Sequence, residues 1–155
     1  MNQNSKGTRR SHKGLRLWTH AQAQAALPYV IQVLRSLREH WIAMRSHRLR
    51  ARRLTERPGR PDRGAMIALH EEQQETHQSA IAYAETQKEL QALGITCVDP
   101  IRGQVLFPFK REKKLSWFIF DLFDEQPLCY WRYQDDPVDV RRPIGGNGED
   151  VFPAV

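Results

Sequence analysis

The sequence predicts an α+β fold: a long antiparallel helical hairpin packed on a small antiparallel β-meander of about four strands, with disordered termini. Three observations predict it. Residues 20–93 carry apolar side chains at helical spacing, interrupted by a segment rich in proline and glycine. Residues 95–133 change to a strand-like pattern with short turns. Nine of the fourteen aromatic residues lie between Phe107 and Tyr133, which locates the core.

The 155 residues suit one domain, placed at 17–135. Residues 1–16 hold five basic and no acidic side chains and almost nothing apolar, so they read as a disordered basic arm. Thr19 is the expected N-cap of a short alanine-rich helix. An interior proline costs a helix about 3 kcal/mol, so Pro28 is expected to kink or restart it. A long helix then follows to about Leu54, with a stripe at Leu27, Val30, Ile31, Leu34, Leu37, Trp41, Met44 and Arg48, widened by Ile42 and Leu49.

The turn TERPGRPDRG spans 55–64, and Asp62 is placed to cap a second helix from about Ala65 to Leu93. Gly94 is its C-terminal stop. The inner stripe of this helix is small and polar (Thr76, Ala80, Gln87), which suits a close, coiled-coil-like hairpin. Strands are expected at Ile95–Val98, Gln104–Phe109, Leu115–Phe123 and Leu128–Tyr133. The third strand is apolar on both faces, so its second face needs cover from Trp18 or from a second subunit. Residues 136–155 read as a flexible tail.

Two separated motifs resemble the domain-of-unknown-function family 2203, a set of uncharacterised prokaryotic proteins. The first is Trp18-Thr19 followed by Ala23 and Leu27-Pro28. The second runs through Leu106-Phe107-Pro108, the basic hairpin Lys110–Lys114, Trp117–Leu122, Tyr130-Trp131-Arg132 and Arg141-Arg142-Pro143. The chain looks like a divergent member. Arg132 stands where the family usually has histidine, Leu106 where it has aspartate, Lys113-Lys114 where it has Gly-Arg, and Pro137-Val138 where it has Gly-Phe. The resemblance implies a fold, and no reaction.

Charge is the main functional signal. Through Arg63 there are fifteen Lys or Arg against three acids; from Gly64 onward there are nine against fifteen. In an antiparallel hairpin Arg45 falls level with Glu72 and Arg48 near Glu71, so the basic helix and the acidic helix pair in part. Helix two has five glutamates against ten arginines between Arg35 and Arg63, so a basic surplus should remain near the bend. Arg48, Arg50, Arg52, Arg53, Arg57 and Arg60 would then meet phosphates, assisted by Lys110, Arg111, Lys113 and Lys114. A solvated, partly paired helix face is the competing account.

His40, His47, His70 and His77 place two histidine pairs at matching heights, a weak metal pattern that lacks further ligands. No cofactor is assigned. Catalytic triads, a P-loop and a dinucleotide fingerprint are not evident. The favoured reading is therefore a non-enzymatic basic binding module whose hairpin tip contacts nucleic acid or a ribonucleoprotein. The alternatives are a homo-oligomer pairing through its sheet face, and a metal protein or enzyme with a site near the Tyr-Trp strand. Cys97 and Cys129 read as free thiols. Without a secretory signal or an apolar run of membrane length, a cytoplasmic location is expected, with no membrane partner.

Overall fold

Thr19 starts the first helix as the sequence predicts. Its hydroxyl accepts the Gln22 N–H, and the Gln22 side chain accepts the Thr19 N–H, both at 3.1 Å, a complete capping box. The computed structural model describes residues 15–145. The expectations for the first fourteen residues and the last ten lie outside the described residues.

The helix α1 (His20–Thr55) runs unbroken through Pro28. The expected restart is therefore not seen: one helix continues past the proline. Ala23, Leu27, Val30, Val33, Leu34 and Leu37 are buried on both sides of the proline. Each Val or Leu buried contributes about 1.5–3 kcal/mol, which together outweigh the missing hydrogen bond. Past Leu37 only Met44 is buried in this helix. Ile42 and Leu49, expected to widen the stripe, are 39% and 46% exposed.

The helix α2 (Arg63–Ala92) returns antiparallel, its first turn capped by Asp62, whose carboxylate accepts the Ala65 N–H at 2.7 Å. Gly94 adopts φ +73° and closes the helix. Its N–H donates to the Gln91 carbonyl and the Ile95 N–H to the Leu90 carbonyl, the paired bonds of a Schellman motif. Leu90 and Ile95, both buried, supply the apolar contact that accompanies it.

Five antiparallel strands follow in sequential order: β1 (Thr96–Asp99), β2 (Gln104–Arg111), β3 (Lys114–Asp121), β4 (Tyr130–Tyr133) and β5 (Arg142–Pro143). Val105, Phe107, Phe109, Phe118, Phe120 and Trp131 share the face that joins the buried side chains of α1. Trp18 also lies on this face, edge-on to Phe107 at 5.3 Å. The expectation that it covers the opposite face is therefore corrected. Its backbone N–H donates to the Pro108 carbonyl at 2.8 Å and its indole N–H to Leu93 at 3.2 Å. One residue thus ties the start of α1 to β2 and to the end of α2. Proline is tolerated at 108 because β1 pairs only as far along as Leu106 and Trp18 uses only the Pro108 carbonyl, so the missing N–H has no strand partner to lose.

The opposite face carries Leu106, Pro108, Trp117, Ile119, Tyr130 and Arg132. Leu106 and Ile119 are only 6% and 3% exposed within the single chain, so their burial does not require a second subunit. The third strand ends at Asp121, earlier than expected, because the Asp121 carboxylate accepts the Phe123 N–H at 3.1 Å and turns the chain. Phe123 is 65% exposed instead of packed in the strand. The segment after Tyr133, read as a tail, adds β5 on the outer edge of β4, with Ile144 N–H bonded to the Cys129 carbonyl at 2.7 Å.

Two turns set the sheet geometry. At Gly103 (φ +70°) a Cβ would lie 2.6 Å from that of Leu122, so only glycine lets these turns touch. Between β2 and β3 the reversal uses just Glu112 and Lys113, at φ 51° and 63°. That is the left-handed pair a tight hairpin demands, and neither residue favours it. Lys113→Gly is expected to raise unfolding stability in urea by about 1 kcal/mol. An unchanged or lowered midpoint would show that Lys113 is not strained there.

Candidate functional site

The arginines are placed by the length of α1. Trp18 meets Pro108 near the start of the helix, and the Arg38 Nε–H donates to the Ile101 carbonyl at 2.8 Å twenty residues later. At 1.5 Å per residue the sheet therefore underlies about 30 Å of a helix about 54 Å long. The remainder of α1, with the start of α2, extends past the sheet as a two-helix arm.

Arg45, Arg48, Arg50, Arg52, Arg53, Arg57, Arg60 and Arg63 are all exposed on this arm or its loop. Among the described residues only Arg52 of this set has a carboxylate within 4.0 Å, that of Glu56 one turn on at 2.8 Å. Both members of that pair are largely in water, where such a bond contributes little. The expected pairing of Arg45 with Glu72 and Arg48 with Glu71 is not formed.

Other residues bridge the helices. His47 Nδ1 lies 2.6 Å from Glu72 Oε2, the Tyr29 hydroxyl donates to Glu89 at 3.1 Å, and Trp41 packs on Tyr83 at 5.3 Å. The hydrogen bond to Glu89 pushes the Tyr29 phenol above its ordinary value. His47 is thus engaged by a carboxylate, and no group of three potential metal ligands forms among the described residues. His40, His70 and His77 do not join it in such a group.

At the tip, Leu54, Pro58, Pro61 and Met66 form an open groove of about 380 Å³ rimmed by Arg57 and Arg60. Met66 is 60% exposed here. This apolar floor is a feature that charge counting missed, although the two prolines of the turn were a signal for it.

The other cations lie elsewhere. Lys110, Lys113 and Lys114 border a cleft of about 260 Å³ with Leu15, Leu17 and Tyr133. This cleft is at the Trp18 end of the molecule, so the arginine tip and the lysine hairpin, grouped in the sequence reading, sit at opposite ends of α1. Arg111 is turned inward over the Trp131 ring at 4.5 Å, and Lys114 approaches the Tyr133 ring at 5.5 Å.

Near the Tyr-Trp strand the polar side chains hold one another. Asp121, 2% exposed, pairs with Arg102 and with Arg141 at 3.6 Å, and Arg141 also reaches Asp124 at 3.4 Å. Arg142 grips Asp136 with two bonds at 2.8 and 2.9 Å, and Asp136 also accepts the Tyr133 N–H at 2.9 Å. Leu106 and Arg132, where the resemblance points to aspartate and histidine, fall on one face of the sheet. In this chain that face holds an aliphatic side chain and a guanidinium. Cys97 and Cys129 are free thiols. Burial, followed by the nearby Asp99 charge, pushes the Cys97 thiol up to about 11.

The family model described as "Uncharacterized conserved protein (DUF2203)" matches residues 16–144. The chain belongs to this family. No curated protein and no solved structure matches it. The motifs shared with the family acquire structural roles: Trp18-Thr19 is the tie and cap of α1, and Arg141 and Arg142 are the anchors of β5. Among the described residues, no helix is long and apolar enough to cross a membrane.

The hydrogen bonds from Arg142 hold the Asp136 carboxyl down at about 2, from an ordinary 3.8. A group depressed in the folded state stabilises the fold above its unfolded value and loses that contribution as pH falls through the folded one. Carboxyl NMR of the folded chain should therefore place the Asp136 midpoint near 2, and Arg142→Ala should move it toward 3.8. A midpoint already at 3.8 in the parent chain would contradict the anchoring of β5.

Proposed function

We propose that the chain is a non-enzymatic module that contacts nucleic acid, free or within a ribonucleoprotein, through the end of its helical arm. One observation carries the reading: the arginine-dense end of α1 projects past the sheet with its guanidinium groups almost unanswered by carboxylates among the described residues. Guanidinium is suited to phosphate because its planar fork donates two parallel hydrogen bonds and it gives up hydration easily. Exposed arginines at an arm end fit backbone contact without base reading. The apolar groove between Leu54 and Met66 adds surface for an unstacked base or sugar.

Binding of this kind releases counterions. With Arg48, Arg50, Arg53, Arg57 and Arg60 each neutralising one phosphate, log K should fall against log salt with a slope of about −4.5 on duplex DNA. Fluorescence anisotropy with unrelated duplexes measures it. Arg53→Glu, Arg57→Glu and Arg60→Glu together should weaken binding at least tenfold at low salt. They should leave the melting temperature nearly unchanged, because exposed substitutions shift stability by about 0.5 kcal/mol or less. Absence of binding at low salt, or binding indifferent to salt, overturns the proposal.

A further inference from the structure

We infer that one chain bridges two nucleic-acid segments, one at each end of α1. This deepens the reading above and rests on it. The lysine hairpin is a second cationic end: Lys110, Lys113 and Lys114 are exposed, and among the described residues no carboxylate lies within 4.0 Å of their ammonium groups. It offers more than charge, because Leu15, Leu17 and the Tyr133 ring line the same cleft, where Asp135 is the one acidic side chain against three lysines among the described residues. Lys114 sits over that ring, fixing one ammonium at the cleft wall.

The two ends act separately. They are divided by the length of α1, 36 residues or about 54 Å. Electrostatic potential decays over about 8 Å at physiological ionic strength, so neither end reinforces the field of the other. The stretch between them sets Glu39, Glu71, Glu72, Glu75, Glu85 and Glu89 against Arg35, Arg38, Arg45 and Lys88, so it has no cationic excess to lead a phosphate chain along the hairpin. A polyanion held at the arginine tip is thus discouraged from tracking to the lysines, and each end is left to take its own segment.

Duplexes of about ten base pairs, roughly 34 Å long at 3.4 Å per step, are too short to touch both ends at once. Their number per chain, measured by native mass spectrometry and sedimentation at low salt, should be two. Lys110→Glu, Lys113→Glu and Lys114→Glu together should reduce it to one, and so should Arg53→Glu, Arg57→Glu and Arg60→Glu. One duplex per parent chain overturns bridging while leaving the proposed function standing. Two duplexes retained by the lysine variant overturn the assignment of the second end. No bound duplex removes the proposed function and the bridging inference together.

Discussion

A mismatch of lengths governs this molecule. The longest strands have eight residues, about 26 Å at 3.3 Å per residue, whereas α1 has 36, about 54 Å. One helix therefore has two environments. Its first half buries Leu27, Val30, Leu34 and Leu37 against Phe107, Phe118 and Trp131. Beyond Glu39 the helix has α2 beside it, and Met44 is the sole buried side chain of that stretch. The composition follows the environment, since arginine replaces leucine on α1 once the sheet is left behind.

This division sets the electrostatics. In the arm the helices are joined by His47 with Glu72 and by small residues such as Thr76 and Ala80 that permit close approach. The arginines are left in water, where screening over about 8 Å keeps their mutual repulsion affordable to the fold. In the sheet the reverse holds. Asp121, Arg102 and Arg141 are drawn together at the end of β3, and Asp136 with Arg142 seals β5. Arg102, Arg141 and Arg142 are committed to structure, whereas among the described residues Arg48, Arg50, Arg53, Arg57 and Arg60 at the tip have no carboxylate within 4.0 Å.

Much of the fold was legible because local chemistry decided it. Thr19, Asp62 and Gly94 each did what their side chains or backbone freedom dictate, and the aromatic cluster did form the core. What escaped the sequence was set by tertiary context. Pro28 stays in a helix because apolar burial on either side offsets one lost hydrogen bond. Trp18 packs on the helix-covered face because its N–H pairs with the Pro108 carbonyl, a partner ninety residues away. A two-residue fifth strand carries no periodicity to detect, and it is held by Arg142 and Asp136. The arginine surplus was visible by counting. Its separation from Lys110–Lys114 was not, because it depends on which end of α1 the β2–β3 turn reaches.

Native-state hydrogen exchange along α1 tests the two-environment helix most directly. Amides from Val30 to Leu37 should exchange only through global unfolding, while those from Arg48 to Arg53 should exchange through local opening of the arm, at far lower protection and with little denaturant dependence. Uniform protection from Val30 to Arg53, with one common dependence on denaturant, would contradict an arm that stands free of the sheet.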